Sequence, residues 1–146
     1  MQLEEIMQMD NTYYMNTFGK RIPVCFERGS GIHLYDTKGE EYTDFFSGIA
    51  VTALGHSHPK FVASLTKQAQ KLLHTSSLYY IEAQARLAAL LVSHSCADRA
   101  FLCSTGAEAN EGAMKLAKIH FYKKGQPEKY EIISLKNSFH GRTLAT

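Results

Sequence analysis

Apolar and polar positions change rhythm twice along the 146 residues. The first twenty are polar, with Met and Tyr scattered among them and no clean period. They suit an arm, part of it helical, that needs another surface to pack on. From Ile22 to Phe46 short apolar runs alternate with turn residues, at Arg28-Gly29-Ser30-Gly31 and at Asp36-Thr37-Lys38-Gly39. The second group predicts a hairpin, since Asp favours the first turn position and Gly tolerates the left-handed conformation at the last. Ile32, Leu34, Tyr42, Phe45 and Phe46 would supply the buried face of this β region. Ser47 to His56 is a loop of small residues with neither period. Beyond it, Phe61, Val62, Leu65, Ala69, Leu72 and Leu73 fall on one face of a helix ending near His74. Pro59 sits in its first turn, with Ser57 or His58 as the cap. A second helix, about Ile81 to His94, carries Leu87, Leu90 and Leu91. A strand at 99–103, a helix from Gly106 to about Lys124, a turn at Gly125-Gln126-Pro127 and a strand at 130–135 complete the pattern.

From about residue 58 the order is helix, helix, strand, helix, strand, loop. Strands joined by a long helix are usually parallel neighbours, so the expected class is α/β. Two such strands cannot cover both faces and both edges of a parallel sheet. The expectation is therefore the front part of a larger protein, with exposed apolar surface and a tendency to aggregate.

Composition narrows the function classes. Hydrophobic residues at 45% and charged residues at 21% are globular values. The net charge is +2, and the basic residues are dispersed among acids with no aromatic-interleaved basic run, which argues against nucleic acid. No apolar stretch approaches the length of a membrane span. Cys25, Cys96 and Cys103 are an odd set without a CxxC pair, and read as reduced thiols in a cytoplasmic protein.

Two segments carry candidate chemistry. Cys103-Ser104-Thr105-Gly106-Ala107-Glu108 joins the apolar run to a helix start, where unpaired N–H groups and the helix dipole make a seat for phosphate. Thr105 and Glu108 have capping-box spacing, a purely structural role that coexists with anion binding. The segment is neither a P-loop nor a dinucleotide fingerprint. Ser138-Phe139-His140-Gly141-Arg142-Thr143 places a ring, an imidazole and a guanidinium in one loop just past a predicted strand end, where α/β folds put ligands. Arg142 there suits a carboxylate. Together the two segments suggest a phosphorylated aromatic cofactor and an acidic substrate. His56-Ser57-His58 has no third ligand at metal spacing, and no metal site is assigned. Cys103 reads as a small apolar residue at a strand end rather than a nucleophile.

With these residues laid out, the chain from about Pro23 to Thr146 resembles the N-terminal part of a class III (subgroup II) pyridoxal-phosphate aminotransferase, nearest the acetylornithine branch. The resemblance rests on Tyr35-Asp36 with Lys38 to Phe45, on Gly48 to Pro59 (GIAVTALGHSHP), and on His74-Thr75-Ser76. It continues through Thr105 to Glu111 with Lys115-Leu116-Ala117, and ends on Ser138 to Thr143. It implies a fold type I transferase, with residues 1–57 forming the arm and β-rich part of a small domain. Residues 58–146 would begin the large cofactor domain with its mostly parallel sheet. It implies that Thr105, Gly106 and Ala107 hold the phosphate of pyridoxal 5'-phosphate, that Phe139 stacks on its ring, and that Arg142 binds the substrate α-carboxylate. The loop from Ser47 to Val51 would line the substrate pocket. The implied activity is amino transfer between N-acetylornithine and 2-oxoglutarate in arginine biosynthesis, by a cytoplasmic homodimer. Ser104-Thr105 and Ala107 stand where many relatives have Asn-Ser and Thr, which keeps the backbone donors but removes one hydroxyl. The family's Schiff-base lysine and pyridine-pairing Asp match no position here, so no catalytic residue is assigned and residues 1–146 alone are expected to be inactive. Other expectations stay open: another class III amino donor, a short non-catalytic relative that binds a full-length one, or a stand-alone binder of phosphate ligands.

Overall fold

A computed structural model describes all residues from Met1 to Thr146, in two compact units, Met1–His74 and Thr75–Thr146. The first unit opens with α1 (Leu3–Tyr13). The chain after it is fastened to that helix by the ion pair of Arg21 with Asp10, and the Arg21 guanidinium lies 4.6 Å from the centre of the Tyr14 ring.

Three antiparallel strands follow in sequence order: β1 (Phe26–Ser30), β2 (His33–Asp36) and β3 (Glu41–Thr43). Arg28, Gly29 and Ser30 lie opposite Tyr35, Leu34 and His33, and those last three lie opposite Glu41, Tyr42 and Thr43. The hairpin expected at Asp36–Gly39 is present. Asp36 Oδ1 accepts the N–H groups of Lys38 and Glu40, each at 2.9 Å, and Gly39 takes φ +83°. The turn expected at Arg28–Gly31 is displaced: Arg28 to Ser30 belong to β1, and the chain reverses at Gly31-Ile32. Backbone pairing with β2 outweighs local turn preference there, a common outcome when a glycine can be accommodated in a strand.

A single turn, α2 (Ser47–Ala50), leads to α3 (Pro59–Lys71), which starts at Pro59 with His58 as its cap residue. The second unit holds α4 (Glu82–Ser93) and α5 (Gly106–Lys123). These three longer helices lie within three residues of their expected ends. The strands expected at 99–103 and 130–135 are not formed; both segments are irregular. A helix closes its hydrogen bonds within itself, whereas a strand borrows all of them from a neighbour, and neither segment has one.

No apolar side chain is buried, and Asp36 is the only buried residue. Leu34 and Tyr42 are half-buried as the β face requires, but Ile32, Phe45 and Phe46 are exposed, Phe45 at 95%. The apolar faces of α3 and α4 are likewise open, as expected of a sheet and helices without their covering layers. No helix is long and apolar enough to cross a membrane.

Candidate functional site

The start of α5 is built by its own sequence. Thr105 is extended (φ −140°, ψ 158°), and its Oγ1 accepts the Glu108 N–H at 3.1 Å. The Glu108 carboxylate in return accepts the N–H groups of Ser104 at 2.8 Å and Thr105 at 2.9 Å, and the Thr105 hydroxyl at 3.3 Å. The Ala109 N–H is the first to reach back into the helix, to the Thr105 carbonyl. Gly106 and Ala107 are left as adjacent amides without an acceptor in the chain, at the positive end of an 18-residue helix. A Cβ built on Gly106 would meet nothing within 4 Å, so the space before these amides is open. This is the arrangement that receives a phosphate group. The Thr105 hydroxyl is already engaged by Glu108, so the two amides are the available donors.

The loop 138–143 lies against this helix start. A Cβ built on Gly141, which has φ +138°, would stand 2.7 Å from the Ala107 Cβ, so only glycine allows the approach. On either side of that contact, the Asn110 amide donates to the His140 carbonyl at 2.7 Å and the Thr143 hydroxyl donates to the Glu111 carboxylate at 2.5 Å. The Arg142 guanidinium lies 5.6 Å from the centre of the Phe139 ring. The loop that carries Phe139 and Arg142 is therefore docked beside the start of α5, where Thr105, Gly106 and Ala107 lie, within the second unit. Sequence reasoning passed over Asn110 and Glu111 as fasteners. The available signal was that 107, 110 and 111 share one helical face whose last two members are polar.

In the first unit, the small-residue loop contains unusual backbone. Ser47, Gly48, Ile49 and Ala50 have φ of 51°, 60°, 61° and 61°, a turn of left-handed helix. Left-handed helix costs L-residues about 1–2 kcal/mol each, so it persists only when its surroundings impose it. Asp44 does so here. Its Oδ1 accepts the N–H groups of Phe46 and Ser47, both at 2.8 Å, and its Oδ2 accepts from His56 Nε2 at 2.7 Å. The His56 backbone in turn exchanges both hydrogen bonds with Gly31, at 2.8 and 3.0 Å. The His56 hydrogen bond, followed by the two amides, holds the Asp44 carboxyl below the usual carboxylate range. His56 thus has a definite partner that its sequence neighbours do not reveal.

The Aminotransferase class-III family model matches residues 14–146. The acetylornithine aminotransferase of Nostoc sp. is 52% identical over 132 residues, covering 90% of this chain and 31% of that protein. The crystal structure of N-acetylornithine aminotransferase from Stenotrophomonas maltophilia is similar at TM-score 0.81 and 40% identity, over 92% of this chain and 36% of that one. The ornithine aminotransferase of Toxoplasma gondii, described with partial occupancy of PLP at its active site, matches at TM-score 0.85 and 28% identity, over 97% of this chain and 34% of that one. The chain thus spans about a third of the length of the relatives it matches. The small antiparallel sheet and helices correspond to the N-terminal part of a fold type I aminotransferase. With the family model covering all but the first residues, this chain belongs to the class-III aminotransferases.

Proposed function

We propose that residues 1–146 form the phosphate-holding and carboxylate-binding portion of an acetylornithine aminotransferase, which moves an amino group between N-acetylornithine and 2-oxoglutarate in arginine biosynthesis. Enzymes of this family depend on pyridoxal 5'-phosphate, which supplies the electron sink for chemistry at the substrate α-carbon. The carrying observation is the pair of open amides at Gly106 and Ala107 with the Phe139–Arg142 loop docked beside them. Those amides, with Thr105 at their edge, hold the phosphate. Phe139 offers a flat apolar face to an aromatic ring, and Arg142 offers a two-pronged cation to an α-carboxylate. The loop from Ser47 to Val51 lines the substrate pocket. Residues 1–57 serve as arm and small-domain β segment, and residues 58–146 open the cofactor domain. The working enzyme is a cytoplasmic homodimer. The lysine that links the cofactor is to be sought outside this stretch, and residues 1–146 by themselves do not transaminate.

The test is to purify the protein from its native gene, weigh it intact, and assay it with acetylornithine and 2-oxoglutarate. Glutamate formation, with a rise in melting temperature on adding pyridoxal phosphate, is the expected result. A mass of 16.4 kDa with neither effect would sink this reading and turn the search from substrates to protein partners.

A further inference from the structure

Helix α5 presents two different things on its first turns. Its N-terminal edge offers the open amides of Gly106 and Ala107. One side of its first two turns, made of Ala107, Asn110 and Glu111, grips the loop. These three positions are spaced i, i+3 and i+4 and therefore share a face. The loop answers with three positions of its own: Gly141 against Ala107, the His140 carbonyl to the Asn110 amide at 2.7 Å, and the Thr143 hydroxyl to the Glu111 carboxylate at 2.5 Å. The gripped residues 140, 141 and 143 alternate with 139 and 142, whose side chains carry the ring and the guanidinium. The loop backbone is thereby fastened to the helix on either side of Arg142. Asn110, Glu111, Ala107 and Gly141 are all half-buried.

The geometry points to Asn110 and Glu111 as positioning residues that fix the carboxylate clamp relative to the phosphate seat. This rests on the aminotransferase reading for what the clamp and seat bind, though not for the fastening itself. An anion held at the amides and a carboxylate held at Arg142 belong to two molecules that must meet at one distance. A loop free to drift would lose the substrate's orientation without disturbing the phosphate. The seat is backbone of α5 and does not depend on the loop, so the two affinities should separate when the grip is cut.

The experiment uses the full-length protein with Asn110→Ala, Glu111→Ala, Thr143→Val and Thr143→Ser. Amide exchange over 138–143, measured without cofactor, should quicken by about tenfold in the first three variants and stay near wild type in Thr143→Ser, which keeps the hydroxyl. Exchange within α5 should not change. Glu111→Ala combined with Thr143→Val should be no worse than Thr143→Val alone, because Thr143→Val already removes the bond to Glu111 along with the one to Thr146. In the loaded enzyme, KM for the amino donor should rise by about tenfold while the pyridoxal-phosphate Kd stays within about twofold. Unchanged loop exchange in both Glu111→Ala and Thr143→Val would overturn the grip. Equal losses of donor and cofactor affinity would overturn the positioning role. A wild-type protein that takes up no pyridoxal phosphate would count against the aminotransferase reading, and the exchange result would still decide the grip.

Discussion

Replacing Gly141 by Ala tests how tightly the loop is pressed against α5. The new Cβ would press on the Thr146 side chain and would stand 2.7 Å from the Ala107 Cβ, whereas carbons in comfortable contact lie about 3.5–4.0 Å apart, so both Thr146 and the α5 contact must give way, the latter by about 1 Å. Overpacking of this kind costs about 1–3 kcal/mol. The backbone adds to it, since φ of +138° is glycine territory and holding another residue there costs about 1–3 kcal/mol. Against that stand the Asn110–His140 bond, worth about 0.5–1.5 kcal/mol, and the Thr143–Glu111 bond to a carboxylate, worth about 1.5–3 kcal/mol. The penalty matches or exceeds the restraint, while the backbone bonds of α5 do not involve the loop. Release of the loop is therefore expected rather than loss of the helix. Hydrogen exchange read by mass spectrometry should show 138–143 exchanging faster in Gly141→Ala, with 107–123 unchanged. Gly106→Ala is the control, because a Cβ there meets nothing within 4 Å and should leave the loop docked. Loop exchange in Gly141→Ala equal to wild type would refute the close-approach argument.

The capping box and the left-handed turn give two further expectations. Thr105→Ala removes the acceptor for the Glu108 N–H and should destabilise α5 by about 0.5–2 kcal/mol, with Thr105→Ser restoring it. Exchange of the amides from 106 to 109 is the check. Asp44 titrates lower in the folded chain than its unfolded value of about 3.9, so its contribution is complete above that pH and disappears as pH falls through the lower native value. Amides from 46 to 52 should loosen only on acidification below the ordinary carboxylate range, and Asp44→Asn should remove that dependence. Loosening of the wild-type turn at neutral pH, with none on acidification, would contradict the role given to Asp44.

The sequence alone determined the features whose causes lie within a few residues. Pro59 and the residue before it start α3, Asp36 and Gly39 close the β2–β3 hairpin, and Thr105 and Glu108 cap α5. In each case donor and acceptor are near neighbours in the chain, so spacing and residue type suffice. The open amides of Gly106 and Ala107 were legible for the same reason, because a capped helix start defines which amides remain open. Tertiary structure decided the rest. Segments 99–103 and 130–135 have strand composition, but without a neighbour to bond they stay irregular, and Arg28 to Ser30 become strand because β2 lies beside them. Ile32, Phe45 and Phe46 are apolar in the expected pattern yet exposed, since burial needs an opposing layer and not only a periodic face. The left-handed turn at 47–50 depends on Asp44 meeting His56 twelve residues away. The docking of loop 138–143 through His140 and Thr143 depends on Asn110 and Glu111 about thirty residues earlier. Contacts that distant close only when the chain's path has brought their partners together, and no local pattern of apolar and polar residues encodes that path.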